Sequence, residues 1–273
     1  MDPFEILNHC RLILRWQNHV QIGTRWRYQG MRSTYWRLYI HSADGAAADV
    51  EGDRYPLGPG YVHFLPAWMT FDYHASRELM QFVCHFELAR WTPRVTNRLA
   101  PRPVSLELDS AMQSSWDAIL DGYEQGAGKS PATWMRSHAL INAALASWMD
   151  QLGEQEVAEG LHAVAGQHVV EPALSYIEAN LGEPIGNDEL AELCHYSTDH
   201  FAKVFRQVVG QTPGRYIAER RIAAAAQDLT FTDRTIDDIA ESFGFANRFY
   251  FSRAFKRQVG VPPAAYRANQ RWW

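Results

Sequence analysis

Hydrophobic positions change period partway along the chain. Between about residues 20 and 90 they come in short blocks or alternate. Tyr35 to Ile40 is aromatic and β-branched. The segment from Gln81 to Leu88 puts Phe82, Cys84, Phe86 and Leu88 on one face and Gln81, Val83, His85 and Glu87 on the other. Gly45, Gly52, Gly58 and Gly60, with Pro56 and Pro59, punctuate these blocks. The pattern predicts short strands closing into a small sandwich or barrel. Between Pro131 and Gly153 the period becomes helical, with Trp134, His138, Ile141, Leu145, Trp148 and Leu152 spaced 4, 3, 4, 3, 4. That stripe is either a coiled-coil-like seam between two chains or one face of an amphipathic helix lying on the β region. The polar stretch from Gly153 to Gln167 reads as a linker. From Val169 onward the signals are helical almost throughout.

The helical part contains a duplication. Phe201, Phe205, Val209, Gly210, Pro213 and Tyr216 return fifty positions later as Phe251, Phe255, Val259, Gly260, Pro263 and Tyr266. Leu190 to Glu192 returns as Ile239 to Glu241 at an offset of 49, so the second copy has one extra residue in its turn. Each copy reads as helix, tight turn, helix. In the first, Asn187 is placed to cap a helix burying Leu190, Ala191 and Cys194, and Ser197 to cap one burying Phe201, Val204, Phe205 and Val208. In the second, Thr235 and Asp238 form a capping box before Ile239, Ala240 and Phe243. Gly244 supplies the turn, and Asn247 caps a helix burying Phe251, Ala254 and Phe255. Gly210 and Gly260 suit helix C-termini, with proline restarting the chain.

The buried stripes leave exposed ones. They are Asp199, Ala202, Lys203 and Arg206 in the first copy, and Phe249, Ser252, Arg253 and Lys256 in the second. A short helix that presents Lys or Arg fits the major groove of DNA, where such side chains reach guanine O6 and N7. Charge supports this locally though not globally. The chain carries a formal charge of −5. Yet Lys203 to Arg221 holds Lys203, Arg206, Arg215, Arg220 and Arg221 against Glu219 alone. From Phe249 onward come Arg253, Lys256, Arg257, Arg267 and Arg271 with no acid.

These residues resemble the AraC/XylS family of bacterial transcription regulators from about Ala173 to Arg267. The resemblance is carried by Leu190-Ala191, Ser197, Phe201, Phe205-Arg206, Gly210 to Pro213, Tyr216, Arg221-Ile222, Ala225, Leu229, Ile236, Ile239-Ala240, Gly244-Phe245, Phe251 to Lys256, Gly260 and Tyr266-Arg267. It implies two helix-turn-helix units, about 185–210 and 235–260, joined by a long helix from Pro213 to about Leu229. Their recognition helices would enter successive major grooves about 34 Å apart. The DNA-contacting set it implies is Ser197, Thr198, Asp199, Ala202, Lys203, Arg206, Asn247, Arg248, Phe249, Ser252, Arg253, Lys256 and Arg257. Three positions depart from the family pattern. Asp228 replaces an aliphatic residue, Phe249 a small one, and Pro262 a threonine. The segments from Arg54 to Gly60, Phe64 to Pro66 and Cys84 to Leu88 resemble the family's cupin-like sensing domain, which implies a small effector, frequently a sugar, and dimerising helices after the barrel.

The expected architecture is α+β. A cupin-like effector-binding and dimerisation domain covers 1–152, a linker 153–168, and an all-α DNA-binding domain 169–273. Expected partners are a double-stranded DNA operator, a small effector, RNA polymerase (since relatives are more often activators) and a second copy of the chain. Eight of the ten tryptophans precede residue 150. Aromatic faces stack on sugar C–H surfaces while His, Arg and Gln bond hydroxyls, so Arg37, Tyr39, His41, Trp68, Tyr73, His74, Gln81 and His85 are candidate effector contacts. A metal-dependent cupin enzyme is the alternative, with His63, His74, His85 and Glu87 as conceivable ligands. Metal cupins place two histidines one residue apart, and this chain has no His-x-His. No nucleophilic triad pattern or phosphate-binding glycine loop is present, and no cofactor is expected. Hydrophobic residues make up 47% of the chain, enough for packed cores. Cys10, Cys84 and Cys194 form no Cys-x-x-Cys motif, which fits a reducing compartment. The N-terminus, with Asp2 and Glu5, is unlike a signal peptide. The stretch from His138 to Met149 is too short to span a bilayer. Together these features lead to the expectation of a cytoplasmic protein.

Overall fold

The computed structural model describes residues 11–89 and 91–270, with the backbone alone at 231, 269 and 270. Met1 to Glu5, Cys10 and Arg271 lie outside the described residues.

The N-terminal half is a two-sheet sandwich rather than a closed barrel. One sheet has the order β1-β8-β3-β6-β9 and the other β2-β7-β4-β5. The strands are β1 Leu12–Ile22, β2 Arg27–Met31, β3 Trp36–His41, β4 Ala46–Val50, β5 Asp53–Pro56, β6 Tyr61–Leu65, β7 Phe71–Ala75, β8 Leu79–Leu88 and β9 Val104–Glu107. All pairings are antiparallel. The alternation in β8 holds, but both faces are covered. Phe82, Cys84 and Phe86 pack toward the helices. Val83 joins Val20, Leu65 and Tyr73 between the sheets.

Four helices surround the larger sheet: α1 Pro93–Leu99, α2 Ser110–Glu124, α3 Pro131–Gln151 and α4 Glu154–Ala165. The stripe on α3 divides. Ile141 and Trp148 are buried in the chain's own core, with Trp148 against Trp36 at 5.6 Å and Trp91 at 6.1 Å. Trp134, His138, Leu145 and Leu152 stay half-buried. The predicted linker is helix α4, followed by a 3-10 turn at Gly166–Val169. Its polar residues are those of a helix N-terminus: Glu156 bonds back to the Gly153 N–H at 2.9 Å. Its glycine answers a packing need, because a Cβ at Gly160 would meet the Leu99 side chain at 2.4 Å.

The C-terminal half is helical: α5 Glu171–Ala179, α6 Asn187–Leu193, α7 Thr198–Val209, α8 Pro213–Phe231, α9 Ile236–Ser242, α10 Arg248–Val259 and α11 Pro263–Gln270. The first helix-turn-helix core (Leu190, Phe201, Phe205, Val209) is continuous with the core under the large sheet. The second (Ile239, Phe251, Phe255, Tyr266, with Leu229 of α8) is a cluster of its own.

Candidate nucleic-acid interface and effector cleft

Local signals build both recognition helices, α7 and α10. Phe201, Phe205 and Val209 bury one face of α7. Phe251, Phe255 and Val259 bury the equivalent face of α10. Both helices end on a left-handed glycine, Gly210 at φ 92° and Gly260 at φ 87°. The Thr235–Asp238 capping box forms, and Asn247 Oδ1 accepts from the Tyr250 N–H at 2.9 Å. Two expected caps differ. Gly186, not Asn187, occupies the N-cap of α6, and Ser197 sits at the N-cap of α7 without a side-chain bond. Thr198 instead donates to Asp188 at 2.5 Å, tying α7 to α6. The turn of the first unit has His195 at φ 58° where the second has Gly244 at φ 69°.

Asp199, Lys203 and Arg206 on α7, and Phe249, Arg253, Lys256 and Arg257 on α10, are exposed. Ala202 and Ser252 are half-buried between them. None of the five cations has an ion-pair partner among the described residues. Arg248 does, meeting Asp237 at 3.3 Å. Asp228 forms a 2.7 Å ion pair with Arg234, so polar contacts secure the end of α8 where an aliphatic residue was expected.

Five of the eight candidate effector residues line one cleft between the sheets: Arg37, Tyr39, Tyr73, Gln81 and His85. Pattern reading missed its other walls. Trp16, Val20, Trp26, Tyr28, Met31, Tyr35 and Val83 come from neighbouring strands and turns, and Val259, Val261 and Tyr266 come from the second helix-turn-helix unit. No local period announces a wall assembled across domains. Arg37 is 2% exposed. It donates to Ser33 Oγ at 2.8 Å and to the Tyr35 hydroxyl at 3.3 Å, and its guanidinium lies over the Tyr35 and Phe71 rings at 4.7 and 5.1 Å. Its Nε has no partner, and no carboxylate pairs with it among the described residues. His85 lies between the Trp16 and Tyr35 rings, at 4.9 and 4.6 Å. Burial and the Arg37 charge push its pKa well down, so it is neutral.

The remaining three candidates sit elsewhere. His41 lies behind the cleft, 3.0 Å from the Tyr73 hydroxyl and 3.3 Å from Gln81 Oε1. Burial and His63 push its pKa down to about 3. Trp68 stacks on Tyr216 of α8 at 5.9 Å, and His74 faces Asp49 at 3.5 Å. The conceivable metal ligands do not converge. His63 bonds Ser105 and the Gly58 carbonyl, and Glu87 pairs with arginines. No cluster of three or more His, Cys, Asp or Glu able to hold a metal occurs among the described residues.

The two halves are joined by an ion cluster around the buried Arg220 and Glu87. Arg220 of α8 lies 3.2 Å from Glu87 of β8 and 2.7 Å from Glu178 of α5, and donates to Thr34 at 3.3 Å. Arg15 also pairs with Glu87, at 3.1 Å, and Arg32 with Glu219 at 3.5 Å. The C-terminal end of each recognition helix rests on the N-terminal half. Arg94 of α1 donates to the Gln207 carbonyl at 2.8 Å, and a Cβ at Gly260 would meet the Gln29 carbonyl oxygen at 2.4 Å.

A family model for a helix-turn-helix domain matches residues 190–269. The regulatory protein SoxS of Escherichia coli K12 is 36% identical over 101 residues, which are 37% of this chain and 94% of SoxS. The HTH-type transcriptional regulator YbfP of Bacillus subtilis is 37% identical over 101 residues, 37% of this chain and 34% of YbfP, so the match spans about a third of that relative. Across both halves, the fold is similar to that of ToxT from Vibrio cholerae O395, with a TM-score of 0.66 at 11% identity over 94% of this chain and 98% of ToxT. The chain belongs to the AraC family of transcription regulators, and its C-terminal half is an AraC-type DNA-binding domain. No helix among the described residues is long and apolar enough to cross a membrane.

Proposed function

We propose that this regulator is a homodimeric, cytoplasmic transcriptional activator that reads a DNA operator with α7 and α10, contacts RNA polymerase, and is controlled by a small carboxylate in the cleft around Arg37. Lys203 and Arg253, repeat-equivalent and exposed, are assigned to base edges. Arg206, Lys256 and Arg257, further along their helices, are assigned to phosphates. The effector reading rests on one observation: Arg37 is a buried guanidinium with an unpartnered Nε and no acid beside it, in a cleft lined mainly by aromatic and aliphatic side chains. A buried charge is expected to be paired, and a carboxylate is the natural partner of a guanidinium. The lining favours an apolar body on that carboxylate. A sugar fits less well, because Tyr73, Gln81 and His41 already bond one another. ToxT, which shares this fold, has been crystallised with an unsaturated fatty acid bound.

Thermal melting against a ligand panel tests the effector. An unsaturated fatty acid at a hundred times its Kd is expected to stabilise the protein by about 2.7 kcal/mol. Its methyl ester should do far less, and Arg37→Met should abolish the difference. If sugars shift the melting temperature and carboxylates do not, the sugar replaces the carboxylate.

A further inference from the structure

Phe249 is 78% exposed, more than any other large hydrophobic side chain among the described residues. It stands in the first turn of α10, which Asn247 caps by accepting from the Tyr250 N–H. Nothing in its own domain covers it, so packing does not account for a phenylalanine there. The N-terminal turn of a recognition helix is the part that reaches base edges. Two neighbours limit what else could do so. Arg248 is engaged by Asp237, and Arg253 lies one turn further along the same stripe. The repeat-equivalent residue of Phe249 in α7 is Asp199, so the two helices offer opposite chemistry at one position.

We propose that Phe249 is a specificity-determining residue that reads thymine through its 5-methyl group in the major groove. The inference rests on the DNA-reading assignment of α10. Thymine is the one base whose groove edge carries an apolar group, and an aromatic ring is a suitable contact for it. The surroundings select DNA as the occupant. Lys256 and Arg257 are exposed and unpaired on the same helix, matching the phosphates that flank a base step.

The test uses the full chain. Its preferred duplex is selected from random DNA, and each thymine is then replaced singly by deoxyuridine, which removes only the methyl. Wild-type protein should lose about fourfold in affinity at one or two positions within the half-site read by the second unit, the effect of one buried methyl. Phe249→Ala should bind the thymine duplex about that much more weakly and no longer distinguish thymine from deoxyuridine there. Phe249→Leu should keep part of the discrimination. An unchanged circular dichroism melt shows that the variants are folded, as the exposure of the side chain predicts. The proposal is overturned if no thymine position is sensitive in the wild type, or if Phe249→Ala keeps the same sensitivity. If the wild type enriches no sequence at all, the DNA-reading assignment itself fails, which is a distinct result.

Discussion

Two buried arginines in this chain have opposite surroundings. Arg220 has two carboxylates, Glu87 and Glu178, within ion-pair distance, whereas Arg37 has none. The first pair holds the halves together. Burial raises the pKa of Glu87, but Arg220 and Arg15 outweigh it and leave the carboxyl below its ordinary 4.5. A carboxylate depressed on folding stabilises the folded form fully above its unfolded pKa. That contribution is lost as pH falls through the lower folded value. Glu87→Gln removes one partner of a buried pair and should cost about 3–5 kcal/mol at neutral pH. The melting difference between wild type and Glu87→Gln should therefore be large at pH 7 and shrink as pH drops below Glu87's ordinary 4.5, while the other carboxylates cancel in the comparison. A difference independent of pH would show that the Glu87 charge is not what stabilises the contact.

At the scale of elements, the recognition helices are specified by signals lying within about two dozen residues: an apolar stripe and a C-terminal glycine in both, and a capping side chain, Asn247, in the second. That is why the duplicated units, α8 and most of their buried positions were legible in the sequence. The first turn was less so, because His195 takes the left-handed conformation that Gly244 takes in the second copy. Helix α4 was missed because its polar face suggested a linker, and only the approach of Leu99 explains Gly160. The α3 stripe was ambiguous for a physical reason: one spacing serves both an inner and an outer contact. Ile141 and Trp148 are fully buried in the chain's own core, while Trp134 and Leu145 pack against its edge and, with His138, stay half-buried. Leu145→Asp places a carboxylate in that row and should yield monomers if the row is the dimer interface. Sedimentation at micromolar concentration decides it, since an unchanged dimer, or a monomeric wild type, would remove α3 from the interface.

Across the whole molecule, sequence reasoning named five of the residues that line the cleft and missed the rest of its wall. The strand residues around Arg37 were recognisable as polar and aromatic side chains of one region. The contribution of Val259, Val261 and Tyr266 was not, because it depends on how the second helix-turn-helix unit docks on the sandwich. That docking joins the two sites. If the cleft holds the effector, the ligand lies beside Val259 at the end of α10 and Val261 and Tyr266 just after it, so any effect of the ligand on DNA affinity must appear reciprocally as an effect of DNA on ligand affinity.

Joint use of both helices leaves a spatial signature in DNA. Selection of binding sites from random duplexes by the full chain should enrich two conserved blocks whose centres lie about one helical turn, 10–10.5 base pairs, apart. Enrichment of a single block, or of two blocks at variable spacing, would contradict the joint docking of α7 and α10 on one face of the double helix.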